Sequence, residues 1–173
     1  DPVTLADRNA EAAIRKVIAA AFPDHDILGE EMGMTGTGSP WRWIIDPIDG
    51  TRAFISGVPV WGTLIGVSHE RSPVAGLMRQ PFTGETFLGT PSGTRRRHGG
   101  QTHMLATRKT QSLAEATLFT TDPYLFGTPG KQAAFDTVRK SVRLTRYGCD
   151  CYAYCLLAAG HVDLVIESGL QSY

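Results

Sequence analysis

The run Trp43-Ile44-Ile45-Asp46-Pro47-Ile48-Asp49-Gly50-Thr51 constrains this chain more than any other part of it. An apolar stretch of β-formers ending in two carboxylates reads as a strand that delivers Asp46 and Asp49 to its tip. Gly50 then removes the Cβ that blocks an approaching anion. Two carboxylates with a main-chain carbonyl between them form an oxygen-only donor set, suited to Mg2+ or Mn2+ and poorly suited to Zn2+. An N–H and a hydroxyl at Gly50 and Thr51 would face a phosphate bridging such ions. Taken alone, Asp-Pro and Asp-Gly are also ordinary turn formers, and the segment reads equally as a plain loop.

Two further acidic elements shift that balance. Asp1-Pro2-Val3-Thr4-Leu5-Ala6-Asp7 opens the chain ahead of a helical pattern, and Ile27-Leu28-Gly29-Glu30-Glu31 is another apolar pair running into a turn. The three motifs, in this order and spacing, resemble those of the inositol monophosphatase superfamily of metal-dependent sugar phosphatases. Arg52-Ala53-Phe54-Ile55-Ser56-Gly57 and Trp61-Gly62-Thr63-Leu64-Ile65-Gly66 are similar to the histidinol-phosphate phosphatases of that superfamily. So are Arg146-Tyr147-Gly148-Cys149-Asp150-Cys151 and Asp163-Leu164-Val165-Ile166-Glu167-Ser168-Gly169.

The resemblance implies roles position by position. Glu30, Asp46, the carbonyl of Ile48 and Asp49 match metal ligands for two or three Mg2+ ions, with Mn2+ as a substitute. Thr51 and Asp7 match the pair that orients and deprotonates the attacking water, with Glu30 assisting. Ile48, Asp49, Gly50 and Thr51 match the phosphate-binding run. The loop at Gly148-Cys149-Asp150, together with Glu167, matches the leaving-group side, and Arg52 and Arg146 are placed to frame the phosphate or orient those carboxylates. Asp150 and Glu167 offer two carboxylates where histidinol would bring an ammonium and an imidazole, whereas inositol needs neutral partners. The activity implied is hydrolysis of histidinol phosphate in a cytoplasmic homodimer. Hydrolysis of inositol 1-phosphate or of a broader set of sugar and nucleotide phosphates is the nearer alternative, and a noncatalytic remnant the more distant one. By resemblance the chain is also an internal piece of a longer enzyme, with helix ahead of Asp1 and an aspartate ligand directly after Tyr173.

Plainer readings compete at single positions. Asp7 suits a helix cap, since a carboxylate near a helix start meets unpaired N–H groups and a favourable dipole. Asp150 suits the N-cap of the helix that follows it. Glu31 is expected to support its turn without ligating, and Trp43 and Trp61 to be core residues. Cys149, Cys151 and Cys155 match no zinc spacing and no disulfide framework, so Cys151 and Cys155 are assigned to one packed helix face. Arg95-Arg96-Arg97-His98, ahead of two glycines, reads as a solvated hairpin or mobile loop, with a partner-subunit contact as the alternative.

Seventeen basic residues balance seventeen acidic ones, so no net field recruits nucleic acid or an anionic membrane. No stretch reaches the roughly 20 apolar residues of a membrane span. Periodicity predicts a helix over 7–21, with Ala10, Ala13, Ile14, Val17 and Ile18 on its apolar face. It predicts strands near 27–28, 41–45, 60–69, 74–80 and 85–89, with a turn at 70–73. Beyond residue 113, short strands at 118–121, 142–144 and 164–167 alternate with helices at 130–141 and 151–159. The pattern is mixed α/β (α+β), divided into an N-terminal part over 1–112 and the beginning of a C-terminal part over 113–173. The resemblance implies an incomplete portion of a layered α-β-α-β-α sandwich, with the active site between its halves.

Overall fold

The computed structural model describes residues 4–171 and 173. Asp1, Pro2 and Val3 of the first motif lie outside them. The chain divides into two compact units, Asp1–Met104 with Tyr173, and Leu105–Ser172.

The first unit opens with helix α1 (Leu5–Ala21), which begins where Thr4 and Asp7 form a reciprocal capping box. There follow β1 (Asp26–Gly29), β2 (Gly33–Thr35), β3 (Trp41–Asp49), the short helix α2 (Thr51–Ile55), β4 (Gly62–His69), β5 (Ser72–Gln80), β6 (Glu85–Thr90), β7 (Gly93–His98) and β8 (Gln101–Leu105). They form one sheet in the order β2-β1-β3-β4-β5-β6-β7-β8, in which β1 and β3 are parallel. Ile18 of α1 packs on Ile27 and Ile45 of that sheet, flanked by Ile14 and Trp43.

The buried stripe of α1 differs from the apolar face expected. Val17 is 70% exposed, whereas Asp7, Glu11 and Ile18 are buried. An i, i+4, i+7, i+11 row through 7, 11, 14 and 18 faces the sheet because Glu11 and Arg15 find main-chain partners there, and polar groups so satisfied are tolerated inside.

Of the two readings of the arginine run, the structure has the hairpin, formed by β7 and β8, and not the mobile loop. Residues 93–97 pair with β6, and Arg96 reaches inward to Glu85 at 3.2 Å while Arg95 and Arg97 are exposed. Gly99 and Gly100, with φ of 55° and 80°, make the turn into β8, as Glu70 and Arg71 do between β4 and β5.

The second unit holds β9 (Thr117–Thr120), α3 (Pro129–Ser141), β10 (Leu144–Tyr147), α4 (Asp150–Ala158) and β11 (Leu164–Val165), with a single 3-10 turn at Leu113–Glu115. Its three strands are parallel, in the order β10-β9-β11. Strand β10 starts later than expected, because the N–H groups of Arg143 and Leu144 both reach the carbonyl of Ala116 before the ladder begins. The core is Leu118, Phe126 and Phe135, with the two rings stacked at 4.1 Å. Cys151 and Cys155 are buried one turn apart on α4 and unbridged. Asp163 accepts from Arg108, Thr110 and the N–H of Thr117, fastening the connection that precedes β9. Those bonds hold its carboxyl well below the usual carboxylate range, the Arg108 contact foremost. Among the described residues, no helix is long and apolar enough to cross a membrane.

Candidate active site

Asp46 and Asp49 lie in the last four residues of β3, and in a regular strand residues three apart point to opposite faces. The ladder with β4 shifts between them: Asp46 pairs with Leu64 and Asp49 with Gly62, so Pro47 and Ile48 together oppose Thr63. This bulge adds one residue and turns both carboxylates to one side. Pro47 has no N–H to lose from the ladder, and its carbonyl accepts from the Thr63 hydroxyl at 2.9 Å. Gly50 takes φ of 84°, the left-handed conformation that lets the chain reverse into α2.

Glu30 reaches the same place from β1. Gly29 is level with Ile45 in the parallel ladder, and the N–H of Glu30 donates to the carbonyl of Ile45 at 3.1 Å. The carboxyls of Glu30 and Asp46 then lie within hydrogen-bond reach of each other. Burial pushes the Asp46 carboxyl up to about 9, helped by repulsion from Asp49 and Glu30 and opposed by a bond from the Ile48 N–H. Burial also raises Glu30, with Glu31, Asp49 and Asp7 adding repulsion. Oδ1 of Asp46 is buried and meets no N–H or hydroxyl among the described residues.

A carboxyl kept from ionising by burial, with repelling carboxyls beside it, is what a cation would relieve. The donors on hand are three carboxyls and the Ile48 carbonyl, which uses one lone pair on the Thr51 hydroxyl at 3.1 Å. All are oxygen, and they fit a hard divalent ion. Among the described residues, no group of three or more His, Cys, Asp or Glu side chains is already drawn together tightly enough to hold one.

Asp7 is buried, and its Oδ2 accepts from the N–H of Thr4 at 2.8 Å and from the Thr4 hydroxyl. It is thus engaged as a cap, yet close enough to Glu30 and Glu31 to raise both carboxyls. The Thr51 hydroxyl is turned to Ile48. Glu31 pairs with Arg8 at 3.8 Å, in keeping with support of the turn. Trp43 belongs to the core under α1, and Trp61 meets Phe54 of α2 edge-on at 4.9 Å.

In the second unit, Arg146, Asp150 and Glu167 all sit at or beyond the C-terminal ends of parallel strands, the edge where open α/β sheets hold ligands. Arg146 lies beside Cys149 and draws its thiol down against a larger upward push from burial. Asp150 is the first residue of α4 with φ of 43°, so the N-cap position belongs to Cys149, which makes no side-chain cap. A left-handed aspartate costs about 1 kcal/mol or more, a strain characteristic of functional turns. Oε1 of Glu167 accepts from the N–H of Thr121 at 2.8 Å and from its hydroxyl at 3.0 Å. Sequence reasoning missed Thr121, Thr63, Glu11 and Arg15. Only the last two left a signal, the four-residue spacing from Asp7 through Glu11 to Arg15.

Comparison with known proteins gives the family and the fold. The inositol monophosphatase family pattern matches residues 1–173. The bifunctional phosphatase IMPL2, chloroplastic, of Arabidopsis thaliana is 45% identical over 174 residues, which take in 99% of this chain and 49% of the relative. The histidinol-phosphatase of Chlorobaculum parvum is 37% identical over 166 residues, covering 96% of this chain and 63% of its own. The chain thus spans about half to two thirds of the length of these relatives. Among solved structures, an inositol monophosphatase from Zymomonas mobilis superposes with a TM-score of 0.85 at 38% identity, over 99% of this chain and 69% of that one. The chain belongs to the inositol monophosphatase family.

Proposed function

We propose that the protein is a Mg2+-dependent phosphomonoesterase, cytoplasmic and homodimeric, that hydrolyses L-histidinol phosphate to L-histidinol and inorganic phosphate. The observation that supports this most is the bulge at Pro47 and Ile48, which turns Asp46 and Asp49 to one side beside Glu30.

Glu30, Asp46, Asp49 and the Ile48 carbonyl would hold the ions. When bound, Mg2+ offsets the charge of the phosphate and makes water a competent nucleophile near neutral pH. The N–H groups of Gly50 and Thr51, at the start of α2 where no intrahelical carbonyl serves them, hold phosphate oxygens. The Thr51 hydroxyl swings from Ile48 to the attacking water, and Asp7 receives the proton through it. Water oxygen bonds to phosphorus, the ester P–O bond breaks, the departing alkoxide takes a proton from solvent water and leaves as the alcohol, and Asp7 gives its proton back to solvent. Asp150 and Glu167 select the leaving group by its positive charge, with Thr121 fixing Glu167.

Hydrolysis of inositol 1-phosphate is the second reading, favoured by the likeness to the Zymomonas mobilis inositol monophosphatase. Comparison of kcat/KM for histidinol phosphate, inositol 1-phosphate and a small neutral phosphomonoester at fixed Mg2+ and ionic strength separates the two. One charge-assisted contact contributes about 1.5–3 kcal/mol, so Asp150→Ala lowers the preference for histidinol phosphate about tenfold to a hundredfold. A uniform loss across substrates would reassign Asp150 to holding the turn, and a wild-type preference for inositol phosphate would overturn the histidinol assignment.

A further inference from the structure

Glu11 is a charged residue with no exposure at all, on a helix face where an alanine or leucine would cost less. Its Oε2 accepts from the N–H of Glu31 at 2.8 Å, and its Oε1 from the N–H of Met32 at 3.2 Å. Arg15, one turn later, pairs with Oε1 through Nε at 2.7 Å. The same guanidinium donates to the carbonyl of Gly33 and, at 2.9 Å, to the hydroxyl of Thr35. Two side chains of α1 therefore grip the main chain over residues 31–33, directly after Glu30. The approach is so close that a Cβ at Gly29 would fall 2.0 Å from Glu11 Oε1. On its other side, Glu30 is tied by its own N–H to Ile45, the neighbour of Asp46.

We propose that Glu11, backed by Arg15, is a positioning residue that sets the Glu30 carboxyl against Asp46 for metal binding. The inference rests on the reading of Glu30 as a ligand. A hydrophobic residue at position 11 would bury the helix as well but would leave the N–H groups of Glu31 and Met32 unpaired, and the turn free to shift. Glu11→Gln keeps the shape, removes the charge that Arg15 pairs with, and turns one acceptor into a donor facing an N–H.

The test is Mn2+ binding to the metal-free protein, followed by electron paramagnetic resonance, in wild type, Glu11→Gln, Arg15→Lys and Glu30→Gln. Partners of metal-binding side chains change affinity by about tenfold to a hundredfold, and Glu11→Gln is expected to raise the Kd for Mn2+ within that range. The half-saturating Mg2+ for phosphate release rises with it, while KM for substrate at saturating Mg2+ moves less than about twofold, because the phosphate and leaving-group contacts are untouched. A purely structural role for Glu11 lowers the melting temperature without moving the Kd, and that result overturns the proposal. If Glu11→Gln does not fold, Arg15→Lys decides: a weakened Kd supports the positioning role and an unchanged one refutes it. Unchanged Mn2+ affinity in Glu30→Gln refutes the ligand reading itself. Weakened binding there, with none in Glu11→Gln, refutes only the positioning role.

Discussion

Replacement of Asp46 by asparagine should flatten the pH dependence of stability in the metal-free protein. The folded state holds the Asp46 carboxyl up at about 9, against an ordinary value of 3.8. Between those limits the folded protein carries a proton that the unfolded chain has released. The unfolded state binds fewer protons, so stability falls as pH rises. One proton's difference corresponds to about 1.4 kcal/mol per pH unit. For a chain of this size, about 1 kcal/mol moves the melting temperature about 2–4 °C, which gives about 3–6 °C per pH unit. The asparagine amide mimics the protonated acid and keeps a hydrogen bond for Glu30, so the Asp46→Asn variant lacks this slope.

Asp163 has the opposite sign, its stabilisation being complete above the ordinary carboxylate range and lost only in acid, so it does not interfere near neutral pH. Scanning fluorimetry in chelator, in steps of one pH unit from mildly acidic to mildly basic buffer, reads the difference directly. Added Mg2+ displaces the proton, so its stabilising effect on wild type grows with pH and is largely absent in the variant. Parallel melting curves for the two proteins across this range would refute the buried, mutually repelling cluster.

Asp49→Asn should abolish Mg2+-dependent phosphate release with the circular dichroism spectrum unchanged, because it removes ligand charge from carboxyls that otherwise repel one another; full activity at limiting Mg2+ would show that Asp49 is no ligand. Thr51→Ala should reduce kcat far more than it raises KM, the pattern of a group acting in the transition state. A pure KM effect in steady-state kinetics would assign Thr51 to ground-state binding.

Much of this site was legible in the chain because its chemistry is local. An apolar run ending in Asp-Pro-Ile-Asp-Gly carries both the end of the strand and two carboxyls, and Gly-Glu-Glu after Ile-Leu brings a third. The device that aims Asp46 and Asp49 together was not legible, because a bulge exists only relative to a partner strand, and nothing near Pro47 names Thr63 as that partner. The face of α1 was misread for a related reason. Apolar periodicity favoured Val17, but the helix turns Glu11 and Arg15 inward, toward N–H and carbonyl groups 18 to 21 residues away. The polar composition of the arginine run left hairpin and mobile loop both open, because the main-chain ladder with β6 that makes it a strand, like the contact of Arg96 with Glu85, involves residues remote in sequence. Asp7 and Thr51 are bonded to Thr4 and Ile48, partners three residues away, whatever each does in the presence of substrate.

The most direct test is phosphate release from histidinol phosphate by the purified protein, measured before and after exhaustive chelation and again on titration with Mg2+. Activity should vanish with the metal and return with Mg2+ in wild type, and no Mg2+ concentration should restore it in Asp49→Asn. Turnover that survives complete removal of divalent ions would contradict the assignment of Glu30, Asp46 and Asp49 as the groups that hold the catalytic cation.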